Sequence, residues 1–489
     1  MNKTIAIAGA LALGMTLPAL AGVSHTASAV AAAATPSPLP APGASNLPYP
    51  AYGTPAPGIV QNAPAADVPQ NITLAQAINV AAAKSPVLAS ARGSEALASA
   101  QLDLARTPQL PSLSGTASTT HSRAQAQTIT TPAGQVRTGG SNTTNSLSAN
   151  LRQLIFDGGR VAAQIRAARE NQQGAVAVYR RNLQTLTFNV ANSYYNALAA
   201  ERATSLAAQV VHQNEVQEGL VLAQIRAGVA ARSDLSTAQL PTAQARVALV
   251  RAQGAELAAL AVFANTLGLD ANTLVRPIDD TPANATASLL QTTLLTYNTA
   301  YQRALLQRPD YDAANRSVAA AQESLKSAKL GRFPTLTGSG SAGTTSTDPN
   351  GGTYRNSSSL GAALAIPIFD QGITKANTEE SQAQLDIASA NRDTTRLGIG
   401  LNVQTALVNL ISAQAALQQA QAELTKAQEV LRATQAQYKA GVTTLPLLLN
   451  AQVGLTQAQT DQLNAVYALR QAEQAYLFAL GENDTQAAR

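Results

Sequence analysis

One segment occurs twice in this chain, and the recurrence constrains every fold the chain can adopt. Residues 151–159 read LRQLIFDGG, and residues 364–372 read LAIPIFDQG. In each, a hydrophobic run ends in Ile-Phe-Asp-x-Gly and opens into a long stretch rich in Ala and Gln. Asp157 and Asp370 stand 213 positions apart (370 − 157). The same offset carries Ala227, Gly228 and Val229 onto Ala440, Gly441 and Val442, and Phe188, Asn189 and Val190 onto Leu401, Asn402 and Val403. Upstream, Ser85 and Pro86 match Arg308 and Pro309, and Pro111 matches Pro334, at an offset of 223. The change of offset places one length difference in an intervening loop. Short matches arise by chance, but collinear matches at a constant offset do not, so the chain is an internal tandem repeat.

Each repeat carries the same plan. In the first, residues 74–83 form a short amphipathic helix, and Pro86 starts a second that runs to about residue 106, since proline is tolerated where its missing N–H would have no partner. Pro108 and Pro111 then set an extended segment. Residues 111–123 read as a strand, 124–142 as an exposed loop, and 143–156 as a second strand, with Leu147, Ala149, Leu151 and Ile155 on one face and Ser148, Asn150, Arg152 and Leu154 on the other. Asp157 is placed to N-cap the helix that follows. From there to about residue 226 there is no proline, which gives a helix of roughly 105 Å, far beyond any globular core. Gly228 breaks it, and a return helix runs from Ser233 and Asp234 to about residue 267, with Pro241 inside. The second repeat retraces this: helix 310–330, strands 334–345 and 357–369, a loop at 348–352, a long helix from Asp370, a tip at Gly441 and a return over 445–480. Leu360, Ala362, Leu364, Ile366 and Ile368 alternate with small residues, as a lipid-embedded barrel strand requires. Leu410, Leu417, Leu424 and Leu431, with Ala413, Ala420, Ala427 and Thr434 between, form a heptad ladder.

The chain divides into an export signal over residues 1–29, a Pro/Ala-rich linker over 30–70, repeat one over 71–285, repeat two over 286–485 and a tail over 486–489. Lys3, the apolar run that follows, and Ala19-Leu20-Ala21 or Ala27-Ser28-Ala29 as a cleavage site make up the signal. With no other run of about 20 apolar residues, no transmembrane helix is expected. With no cysteine, disulfides, thiolate chemistry and N-terminal lipidation are excluded. His25, His121 and His212 are scattered and read as surface or pore-facing, not as metal ligands. A net charge of +5 over 489 residues does not argue for nucleic acid. Charged residues at 12% are about half the usual share, so Ala, Gln, Ser, Thr and Asn must fill the surface. No Walker loop, carboxylate pair or Gly-x-Ser-x-Gly occurs, so no catalytic residue and no cofactor is expected.

Four strands cannot seal a barrel, and open sheet edges cannot lie in lipid, where unpaired N–H and C=O groups cost several kcal/mol each. Partners must therefore complete the sheet. Three chains would give a closed twelve-stranded pore, though this accounting alone does not force the number three.

These features resemble the TolC-type outer membrane efflux protein family over residues 71–485. The IFDxG strand-to-helix junctions (Phe156, Asp157, Gly159; Phe369, Asp370, Gly372) and the AGV tips carry the likeness. The resemblance implies a mixed, mainly α fold: a long coiled-coil α-helical barrel plus a transmembrane β-barrel shared by a homotrimer, four strands per chain in two structural repeats. It implies residence in the outer membrane of a Gram-negative bacterium, against outer membrane lipid, with helices projecting into the periplasm. The implied partners are a periplasmic adaptor and an inner-membrane pump of RND or ABC type. It also implies a periplasmic gate. The family's Asp at the first tip matches Asp234 and its Tyr matches Tyr438. Its Arg position holds Thr443, and its acidic ring is replaced by Leu447 and Asn450, so a neutral constriction is expected. Gly228, Val229, Gly441 and Val442 are the candidates for adaptor docking, although a tight turn alone demands a glycine at each tip. Drug efflux and protein secretion share this architecture. The rival of another class is a trimeric coiled-coil surface stalk without transport.

Overall fold

The computed structural model describes residues 70–279, 296–348 and 354–482. The expected export signal, the linker up to residue 69, most of the loop at 348–352 and the tail lie outside the described residues. Repeat one comprises β1 (Asn71–Ile72), α1 (Leu74–Lys84), α2 (Pro86–Arg106), β2 (Ser112–Thr131), β3 (Gly134–Phe156), α3 (Arg160–Arg226), α4 (Arg232–Thr266) and β4 (Arg276–Pro277). Repeat two comprises α5 (Tyr297–Gln307), α6 (Pro309–Lys329), β5 (Thr335–Asp348), β6 (Arg355–Ala365), α7 (Ile373–Lys439) and α8 (Leu445–Leu480). The helices before the strands keep one offset and those after keep the other, and α3 and α7 are both 67 residues long. The length difference lies in the β-hairpins.

There the sequence reading needs correcting. Residues 124–142 are not a loop. β2 and β3 continue through them, 20 and 23 residues long, and reverse at Pro132 and Ala133, with a bulge between Ala124 and Gln127. Polarity alone reads this stretch as loop, but its β-branched residues (Thr128, Ile129, Thr130, Thr131, Val136, Thr138) favour the pleated ribbon. β6 stops at Ala365, short of the expected Phe369, because Pro367 cannot donate to a ladder.

The four long strands form one antiparallel sheet in the order β2-β3-β5-β6, while β1 and β4 pair in parallel apart from it. Register puts Leu113, Leu151, Gly340 and Leu360 in one row, Ala117, Leu147 and Thr344 in another, and Leu336 beside Leu364. All these side chains share one face, where Leu113, Leu147, Leu151, Leu360 and Leu364 are exposed. The apolar band covers about 10 residues of strand, roughly 25 Å along the normal of a tilted barrel. The opposite face is almost wholly hydroxyl and amide: Ser114 pairs with Asn150, Ser118 Oγ lies 2.7 Å from Ser146 Oγ, and Ser341 Oγ lies 2.8 Å from Ser359 Oγ. Among the described residues, both β2 and β6 have a free edge.

At each junction the aspartate caps from two residues before the cap position. Gly159 N and Val161 N donate to the Asp157 carboxylate at 2.9 and 2.6 Å, and Gly372 N and Thr374 N to Asp370 at 3.1 and 2.9 Å. The cap position itself belongs to Gly159 and Gly372, both left-handed. Hydrogen bonds from the Thr374 hydroxyl and amide hold the Asp370 carboxyl below its ordinary range. Phe333 lies against Gly158, where any side chain would collide with it. The matching position in repeat two is Gln371, which tolerates a positive φ.

The helices form two hairpins, α3 with α4 and α7 with α8. Two apolar cores lie at matching heights. Ile72, Ile78, Val190, Tyr194, Phe263 and Leu267 form one, and Ile399, Val403, Leu410, Leu417, Leu469 and Tyr476 the other. The heptad ladder is buried at Leu410 and Leu417 and opens toward Leu424 and Leu431. By length and mean hydropathy alone α4 could cross a membrane, against the expectation of none. It is laid along α3, to which Arg246 ties it through Glu215 at 2.8 Å; Ala238, Ala245, Leu260 and Phe263 are buried, while Leu240, Val247, Val250, Leu257 and Val262 stay exposed in the single chain.

The repeats are joined by α3 against α6, with Arg166–Glu323 at 2.8 Å and Arg316–Glu170 at 3.0 Å. A buried ionic knot adds the end of α8. Arg308, buried, donates to both Asp310 carboxylate oxygens at 3.0 and 2.6 Å and to the Ala479 carbonyl at 3.3 Å. Arg181 stands 3.7 Å from the same carboxylate and stacks on Phe478. Burial, then the charge of Arg308, lowers Arg181 to about 10, and Asp310 opposes them. Burial works to raise Asp310, but the hydrogen bond and charge of Arg308 hold it below its ordinary value. Removing one member leaves a buried charge half-compensated, which costs about 3 kcal/mol. Arg308→Met is therefore expected to lower the thermal midpoint of the detergent-purified protein; an unchanged midpoint would deny the knot any structural weight.

Candidate gate and docking site

Both helical hairpins turn in the same way. Gly228 N donates to the Ile225 carbonyl at 3.0 Å and Val229 N to that of Gln224 at 3.0 Å; Gly441 and Val442 do the same to Tyr438 and Gln437 at 3.0 and 2.9 Å. This is the glycine-terminated helix end that satisfies the last free carbonyls, and both glycines have positive φ (73° and 71°). A side chain at either would meet open space. The glycines are thus fixed by the turn, while Val229 and Val442 project from it, each 76% exposed.

The two tips meet in a small apolar cluster. Val221, Ala238, Leu445 and Leu449 are buried in it, and Ile225 and Tyr438 pack against it. Tyr438 crosses from one hairpin to the other, its hydroxyl donating to Gln224 Oε1 at 2.9 Å. The family pattern leads to a bond between Asp234 and Tyr438, and here the two do not meet. Asp234 instead accepts from the Ala231 amide at 3.2 Å and caps its own helix. Gln224 is the residue that sequence reasoning missed. Its position on the last turn before Gly228, facing the neighbouring hairpin, was the available signal.

On α8, Leu445 and Leu449 lie in the cluster and Leu448 is buried beside a groove above it, whereas Leu447 and Asn450 are exposed on the other face. Thr443 is half-buried in the turn. The pair at 447 and 450 is one helical turn apart and lies on a single line with Gly454 and Gln457. No charged side chain occupies that line at the tip.

Above the cluster, a groove of about 460 Å³ opens between α3 and the second hairpin. Glutamines line it: Gln213, Gln217, Gln224, Gln435 and Gln452, with Tyr438 at one side. Gln217 is 8% exposed, and Gln452 Oε1 is buried with no hydrogen-bond partner among the described residues. Val216, Leu220, Leu431 and Leu455 supply an apolar frame. Such a groove fits a partner that brings both amide groups and apolar side chains.

Comparison with known proteins agrees with this geometry. The model of the outer membrane efflux protein family matches residues 77–269 and 300–482. Protein CyaE of Bordetella pertussis is 29% identical over 451 residues, covering 88% of each chain. The probable efflux pump outer membrane protein TtgC of Pseudomonas putida is 26% identical, covering 70% of this chain and 67% of its own. The outer membrane protein VceC from Vibrio cholerae superposes with a TM-score of 0.71 at 18% identity, covering 83% of this chain and 96% of that one, and so shares the fold. With both repeats matched by one family model and the hairpin architecture reproduced, the chain belongs to the outer membrane efflux protein family.

Proposed function

We propose that three copies of this chain form the exit duct of a tripartite export system, carrying cargo from an inner-membrane pump through a periplasmic tunnel and across the outer membrane. One observation carries this reading: a two-faced sheet with both edges open runs directly into helices of 67 residues, in a chain of the efflux family. The apolar face meets lipid, the hydroxyl face meets water, and the open edges of one copy pair with those of the next. The helices extend the pore by roughly 100 Å. The pump supplies energy and selects cargo, the periplasmic adaptor links it to the duct, and the duct performs no chemistry. A stalk without transport gives no role to a hydroxyl-lined inner face.

The tips are the gate. Three copies bring Leu447 and Asn450 around one axis and make a neutral constriction, in keeping with a surface poor in charge. Trimers in a planar bilayer are expected to pass current. Leu447→Asp combined with Asn450→Asp is expected to add cation selectivity and block by divalent cations. Unchanged reversal potentials would place the constriction elsewhere, and silence of the unaltered protein would rule out a conduit.

The bond from Tyr438 to Gln224 latches one hairpin to the other. A single neutral hydrogen bond contributes about 1 kcal/mol, so Tyr438→Phe or Gln224→Leu is expected to raise the open fraction about fivefold per latch, and the double variant no further. Equal gating in the single variants and the parent protein would remove the latch.

The projecting valines and the glutamine groove receive the adaptor. Gly228→Trp and Gly441→Trp together are expected to abolish export by cells while trimers still assemble on native gels. Export at parental levels would move docking away from the tips.

A further inference from the structure

We infer that the barrel is selective for anions and that Arg152 and Arg355 make it so. The inference rests on the duct reading, because it takes the hydroxyl face of the sheet to be the water-filled interior. Register fixes the positions. Arg152 is opposite Ser112 and Ser339, and Arg355 is opposite Thr345, all on the hydroxyl face. Both guanidinium side chains are exposed, and neither has an ion-pair partner among the described residues. The four strands contain one acidic residue, Asp348, at the end of β5 in register with Thr143, a position on the opposite, lipid-side row. The inner face thus carries cations at two levels, about 20 Å apart along the strands, with no carboxylate beside either. In a trimer each level becomes a ring of three. Lining by serine and threonine leaves these charges without competition from other fixed charges, and rings of arginine are how anion pores are built.

The magnitude follows from Coulomb attraction with screening. At a ring radius of roughly 10 Å, three charges enrich an anion and deplete a cation on the axis by about twofold each at 0.1 M ionic strength. The anion-to-cation permeability ratio contributed by the barrel is then about 4 and grows as salt is lowered. The neutral tips do not oppose it. Cargo bearing carboxylate or phosphate groups is the chemical class that this interior favours.

The test is the reversal potential of purified trimers in a planar bilayer under a tenfold KCl gradient. The parent protein is expected to favour chloride. Arg152→Gln with Arg355→Gln is expected to bring the permeability ratio from about 4 to about 1, and Arg152→Lys with Arg355→Lys to leave it unchanged. The tips are common to all these proteins, so the difference reports the barrel alone. Should the double variant not assemble, Arg355→Glu by itself, at the exposed end of β6, sets a ring of three carboxylates against the remaining ring of arginines and is expected to bring the ratio to about 1. A parent protein that prefers potassium, or glutamine variants that match the parent, would overturn the inference while leaving the duct in place. Absence of any current would remove the duct and the inference together.

Discussion

Backbone hydrogen bonds that have no partner within one chain govern this structure. The outer strands β2 and β6 each present an edge of N–H and C=O groups, and the face beside those edges is built for lipid, which offers no donors or acceptors. A single copy is therefore an incomplete object in the membrane. Closing the sheet through identical copies satisfies every edge at once, and the symmetry that closes it extends to whatever is attached to the strands. Here that is a pair of very long helical hairpins, so a requirement set by a few residues in lipid determines a tunnel far from the membrane.

The helical half of the molecule repeats the logic with apolar surface. Beyond its own hairpin partner, α3 packs against both α2 and α6, whereas α7 packs against α6 and the short α5, and α2 packs against α3. Val87, Leu97 and Leu104 on α2, and Ile387, Leu397 and Leu401 on α7, remain exposed in the isolated chain. In the proposed trimer these are surfaces for neighbouring copies to cover. The low charge content allows such close packing, because alanine and glutamine let long helices approach without burying ions. Where ions are buried, as at Arg308 and Asp310, they are held in pairs with well-directed hydrogen bonds.

Much of this was legible in the residues. The two offsets located every long helix, because a repeat forces the same boundaries twice and glycine and proline mark them. The Asp-x-Gly junctions and the tips were equally plain. What was not legible depended on pairing. The polar ribbon from 124 to 142 looked like a loop because polar residues at both odd and even positions leave no hydrophobic alternation to reveal a strand. The cap of Asp157 was displaced by two residues because the left-handed glycine takes the cap position. At the gate, Tyr438 and Asp234 were visible as residue types, but the partner of Tyr438 is set by the angle between two hairpins, which no local pattern encodes; Gln224 could only be found in space.

The ion pairs between α3 and α6 have a further consequence. In the proposed trimer the repeat reproduces this joint between copies, with α7 of one chain beside α2 of the next. The positions equivalent to Arg166 and Glu170 are Glu379 and Ala383, and those equivalent to Glu323 and Arg316 are Ala100 and Gly93. The clasp within a chain therefore has no counterpart at the seam between chains. In the proposed trimer this clasp pins three of six similar joints, so widening of the tube is expected to start along the boundaries between subunits.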